Sequence, residues 1–120
     1  MHFAYMQNAQ IEKFLPLKPR VSLMLLTLRD SPAHGYRLMH AIEERSGGTA
    51  RMDPGLVYRT LVRLGTQGLI KECPPPGDST DRRRRYYRLT EVGRRVVDAE
   101  VERQQLLLGQ LQAAPEVGRQ

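Results

Sequence analysis

The sequence predicts a mainly α-helical fold with a small two-stranded antiparallel β-hairpin, and three observations lead there. Apolar residues recur at helical spacing in three segments upstream of Gly68, two short β-prone runs flank a Pro-Gly loop, and a long amphipathic segment follows. At 120 residues there is room for one domain and one extra arm or helix, because a chain this short buries only about two thirds of its unfolded surface.

Each element follows from local chemistry. Residues 1–19 are closed by Pro16 and Pro19, which oppose a helix running through them, and read as an arm or a short helix over Tyr5 to Leu15. Val21, Met24, Leu25 and Leu28 follow the spacing of one helix face, which predicts a first helix from Arg20 to Leu28, ended by Asp30-Ser31-Pro32. His34-Gly35 opens a second helix with Tyr36, Leu38, Met39 and Ile42 on its buried side and Gly47-Gly48 as its stop. Asp53 as N-cap and Pro54 as first helical residue open a third helix to about Gln67, with Gly68 as its C-terminal cap and Val57, Leu61 and Leu64 facing inward.

Leu69 to Cys73 reads as a strand, Pro74 to Asp78 as a loop that cannot join a ladder, and Arg84 to Leu89 as the returning strand. Alternation sends Tyr87 and Leu89 toward the core and Tyr86 and Arg88 to the other face, where Tyr86 is assigned to neither core nor surface. Thr90 is the expected N-cap of a last helix reaching about Ala113, before Pro115. Three helices, a hairpin and a further helix in this order describe a winged helix-turn-helix domain with a C-terminal helix. The expected division is an arm over 1–19, the winged domain over 20–89, the C-terminal helix over 90–114 and a tail over 115–120.

Composition excludes several function classes. Cys73 is the only cysteine, so an intrachain disulfide is impossible and a reducing cytoplasm is the expected compartment. His2, His34 and His40 have no metal-ligand spacing, and neither a nucleophile with its base nor a phosphate-binding glycine loop is recognisable. No enzyme, metal or cofactor is expected. The apolar run Val21 to Leu28 is far shorter than the roughly 20 residues of a membrane span, so a soluble intracellular protein without membrane contact is expected.

The formal net charge is +6, and only Lys13, Lys18 and Lys71 are lysines. Arginine suits phosphates and guanine edges better than an ammonium does. A GC-rich genome also enriches arginine, so the clustering of these residues carries the argument.

Four segments resemble the PadR family of bacterial transcriptional regulators: His34-Gly35-Tyr36-Arg37-Leu38, Pro54 to Leu61, Arg63-Leu64 with Gly68-Leu69-Ile70, and Arg85 to Gly93. The resemblance spans about residues 20 to 103 and implies a winged helix-turn-helix, a homodimer built through the C-terminal helix, and repression of a nearby promoter. Val57 stands where the family often has Leu, and Arg82 to Arg85 form a longer basic run than the family's wing usually carries. One helix after the wing makes the chain similar to the short subgroup, without a larger ligand-binding C-terminal domain.

The partner expected from these features is double-stranded DNA. With Val57 facing inward, Arg59 and Arg63 fall on the opposite side of the third helix, with Leu56 beside them and Tyr58 on the flank. In a helix-turn-helix this helix enters the major groove, which makes Arg59 the first candidate for a base contact. Tyr58, matching the family's Tyr, is a candidate for phosphate or sugar. Arg51, and the backbone amides at the helix start around Gly55, are candidates for phosphate. Arg82, Arg83, Arg84 and Arg85 sit where a wing should be and suit a backbone or minor groove.

In the last helix Val97, Val101, Gln104, Leu108 and Leu111 recur at alternating spacings of four and three, a stripe expected to meet the same helix of a second subunit. Two other readings are compatible with the basic wing: a module that binds an acidic protein partner, and binding to structured RNA. The sequence identifies no small-molecule effector.

Overall fold

A computed structural model describes residues 9–77 and 83–118. Its elements in chain order are α1 (Pro19–Asp30), β1 (Ala33–His34), α2 (Gly35–Arg45), α3 (Pro54–Thr66), β2 (Ile70–Cys73), β3 (Tyr86–Leu89) and α4 (Glu91–Gly118). Ahead of α1, residues 9–12 are helical; of the arm helix expected over Tyr5 to Leu15, residues 5–8 lie outside the described residues and 13–15 leave the helix through a turn.

Helix boundaries sit where the capping chemistry puts them. His34 Nδ1 accepts the Arg37 N–H at 3.0 Å and opens α2. Asp53 Oδ1 accepts the Leu56 N–H at 2.7 Å, and Pro54 fills the first helical position of α3. Gly68, at φ 79°, turns the chain out of α3 while the Leu69 N–H bonds back to the Leu64 carbonyl at 3.0 Å. Thr90 caps α4 by accepting the Gly93 N–H at 3.0 Å.

The core joins all four helices to the sheet. Met24, Leu25, Leu38, Ile42, Leu64, Leu69, Val96 and Val97 are essentially sealed from solvent, with Val57 and Leu61 holding the inner face of α3. Ile11 from the arm closes one side of this cluster. The Thr90 hydroxyl donates to the Gly68 carbonyl at 2.6 Å, and its N–H donates to the Leu69 carbonyl at 3.0 Å. A Cβ on Gly93 would fall 1.9 Å from that Leu69 oxygen, so only glycine lets α4 lie against the start of β2.

Five expectations are corrected. The sheet has three strands in the order β1-β3-β2, not two, because Ala33 and His34 pair antiparallel with Tyr87 and Tyr86. Tyr36 is 55% exposed: it lies at the edge of the α2 stripe, and its ring turns outward. Tyr86 is the buried tyrosine at 8% exposure, covered by the added strand, while Tyr87 is half-buried against the core. Helix α4 continues past Pro115 to Gly118. Val97, expected between subunits, is fully buried in this chain's own core.

Candidate nucleic-acid interface

Helix α3 presents a basic outer face. Arg59 and Arg63 are exposed, Tyr58 is 58% exposed, and Leu56 is half-buried against the core. A Cβ on Gly55 would lie 3.2 Å from Arg59 Nη1 and 3.4 Å from Asp53 Oδ1. Gly55 thus leaves room for the Arg59 guanidinium to fold back over the first turn of α3, the direction helical side chains favour. Arg51 is exposed and places its Nε 3.3 Å from Glu43 Oε1, an exposed pair that costs little to break.

The wing brings Arg83, Arg84 and Arg85 to the surface, all exposed, whereas Arg82 lies outside the described residues. Arg85 Nε stands 4.0 Å from Glu72 Oε1 on the neighbouring strand. Arg84 stacks on Tyr36, its guanidinium carbon 5.0 Å from the ring centroid, and places Nη1 3.3 Å from His34 Nε2. Tyr36 also meets His40 edge-on at 4.4 Å, and His34 meets Tyr86 edge-on at 5.1 Å between centroids. The base of the wing is therefore tied to the start of α2.

These contacts enclose a cleft of about 460 Å³ between α2, α3 and β3. Val57 and Leu61 form its apolar floor, Tyr36 and Tyr58 are among its walls, and Arg84 and Arg85 line it as well. None of its lining residues is acidic. Burial, with help from the Glu72 carboxylate, pushes the Tyr87 hydroxyl above the ordinary tyrosine range, against the opposing pull of the Arg85 guanidinium. Such a surface matches a polyanion with apolar stretches between its charges. Among the described residues no cluster of His, Cys, Asp or Glu could hold a metal ion, and no helix is long and apolar enough to cross a membrane.

Sequence reasoning names the arginines but misses the platform beneath Arg84. Its only signal is the His34-Gly35-Tyr36 segment, whose histidine reads as serving the turn into α2 and whose tyrosine reads as core.

At the far end, α4 carries Val101 half-buried and Gln104, Leu108 and Leu111 exposed, with Leu106 and Leu107 also open to solvent. The Gln104 amide donates to Glu100 Oε2 at 2.6 Å. Glu100 is a second omission: it is 1% exposed and also receives the Leu17 N–H and both ends of the Arg103 fork.

The model of the transcriptional regulator PadR-like family matches residues 24–99. An uncharacterized 37.1 kDa protein in transposon Tn4556 of Streptomyces fradiae is 35% identical over 89 residues, covering 74% of this chain. The chain spans only 24% of the length of that relative. Among solved structures, a PadR family transcription regulator from Clostridium difficile is similar with a TM-score of 0.67 at 22% identity, covering 79% of this chain and 96% of that one. Bacillus subtilis PadR, solved in complex with operator DNA, matches with a TM-score of 0.59 at 21% identity, covering 72% of this chain and 47% of that one. At such identities the likeness is one of fold, a winged helix-turn-helix. The family model covers well over half of the chain, and the protein belongs to the PadR-like family of transcriptional regulators.

Proposed function

We propose that this regulator binds double-stranded DNA sequence-specifically as a homodimer and represses the promoter it occupies, working in the bacterial cytoplasm. The observation that carries this reading is the cleft between α3 and the wing, which Tyr58 of α3 and Arg84 and Arg85 of the wing line together without an acidic residue. In this arrangement α3 lies in the major groove, with Arg59 reading a base edge and Arg63, Tyr58, Leu56 and the Gly55 amide alongside it. Arg82 to Arg85 follow the backbone or enter a minor groove, and Arg51 adds a peripheral phosphate contact.

Residues 20–89 act as the reading domain and the helix from residue 90 as the dimerisation element. Leu108 and Leu111, with Val101 and Gln104 on the same face, meet their copies across a two-fold axis. That places two α3 helices about one turn of DNA apart and favours an inverted repeat. The likeness to a PadR protein solved with operator DNA supports this docking.

The test is a titration of labelled DNA from upstream of the protein's own gene at several salt concentrations. The expected result is specific binding that weakens steeply as salt rises. Absence of binding to both that fragment and genomic DNA contradicts the reading and favours an acidic protein partner.

A further inference from the structure

The cationic ring stack at the wing base points to a contact that neither the outer face of α3 nor the wing tip provides. Where α3 occupies the major groove and the wing an adjacent minor groove, the DNA strand between them must cross the gap those two elements leave. That gap is the cleft described above. Its exposed Tyr58 ring offers flat apolar surface to a deoxyribose, and Arg84 and Arg85 offer charge to a phosphate.

Resting on the DNA-binding reading, we propose that the cleft receives one sugar-phosphate unit of the crossing strand, with Arg84 as the phosphate ligand and Tyr36 as its positioning residue. Arg84 lies 5.0 Å above the Tyr36 ring, and the edge contact of His40, at 4.4 Å between centroids, backs that ring. The Tyr36 ring beneath it and the His34 ring, 3.3 Å from Nη1, together hold the planar guanidinium in one position. The side chain is thereby held in place before DNA arrives, so less rotamer freedom is lost on binding. Tyr36 and the wing belong to different elements, joined through β1 pairing with β3. The clamp therefore also ties the wing to the start of α2.

The experiment compares wild type, Tyr36→Ala, Tyr36→Phe, Arg84→Ala and the Tyr36→Ala/Arg84→Ala double variant on one DNA site. The same site is then scanned with single uncharged methylphosphonates. Because Tyr36 is exposed, each variant should keep the wild-type circular dichroism spectrum and melting profile. We expect each alanine to weaken binding about tenfold and to lower the salt slope by roughly one unit. The double variant should be scarcely weaker than either single one, since the two side chains act together. Tyr36→Phe should recover most of the affinity that Tyr36→Ala loses, because the ring face does the positioning. One methylphosphonate position should abolish the difference between wild type and Arg84→Ala.

Three results overturn the clamp while leaving DNA binding intact: a Tyr36→Ala variant that binds like wild type, effects that simply multiply in the double variant, or an Arg84→Ala effect that persists at every methylphosphonate position. A wild-type protein that binds no DNA overturns the underlying reading, and the clamp with it.

Discussion

The backbone N–H of Leu17 donates to Glu100 Oε1 at 3.1 Å, joining the N-terminal arm to the middle of α4 through a carboxylate that is almost wholly buried. Arg103 Nη2 and Gln104 Nε2 hold the other oxygen at 2.7 and 2.6 Å. Burial alone would raise the Glu100 pKa, but hydrogen bonds from Arg103, Gln104 and Leu17 outweigh it and hold the carboxyl below the ordinary carboxylate range. Every acceptor site is thus matched where α4 leaves the domain.

A depressed folded-state pKa means that the folded protein binds this proton less readily than the unfolded chain does. The stabilisation is full above the ordinary carboxylate value and is lost as pH falls through the lower, folded value. Glu100→Gln should lower stability at neutral pH by about 1.5–3 kcal/mol, the scale of hydrogen bonds to a charged group. It should also flatten the acid limb of stability against pH. Urea melts from neutral pH into the acid range measure both effects.

Gly93→Ala should destabilise the domain by about 1–3 kcal/mol, because a methyl at this position overlaps the Leu69 carbonyl and no side chain can swing away to admit it. Gly109, whose added Cβ would meet nothing within 4 Å, is the control: Gly109→Ala should leave stability equal or higher. Parallel thermal melts of the two variants separate backbone overlap from helix propensity.

The elements legible in the sequence are those that local chemistry specifies. Asp53-Pro54 and Gly68 bracket α3 by capping alone, and Thr90 does the same at the start of α4. Strand β1 is hidden because it is two residues long and exists only through pairing with Tyr86 and Tyr87, far along the chain. The burial of Tyr86 follows from that same pairing. Val97 is misplaced because one helix face serves two roles: it is buried in the domain at Val97 and becomes exposed by Leu108 and Leu111. Periodicity records the face but not where the domain ends. Glu100 on its own reads as a surface residue, and only the return of the arm buries it.

Asp53→Asn should tighten DNA binding about two- to fivefold, since it removes a negative charge from the mouth of α3 beside Arg59. Asparagine caps as well as aspartate does, so stability should stay within about 0.5 kcal/mol. Fluorescence anisotropy at low salt, with a melting curve for each protein, checks both halves of this expectation.

Leu108→Glu with Leu111→Glu should convert a dimer to a monomer without unfolding the winged domain, because both side chains are exposed in the single chain. Sedimentation equilibrium reads the mass. On a two-half-site fragment the monomer should also lose the avidity of paired binding.

The division between specificity and affinity is tested most directly by one salt-series titration on the protein's own promoter site and a scrambled copy. Wild type, Arg59→Ala and the Arg83→Ala/Arg84→Ala pair are compared. Arg59→Ala should bring the two fragments closer in affinity, whereas the wing pair should weaken both equally and flatten the salt slope by roughly one unit for each phosphate it no longer neutralises. Equal loss of discrimination from both sets, or a wild type that binds both fragments alike, contradicts the account.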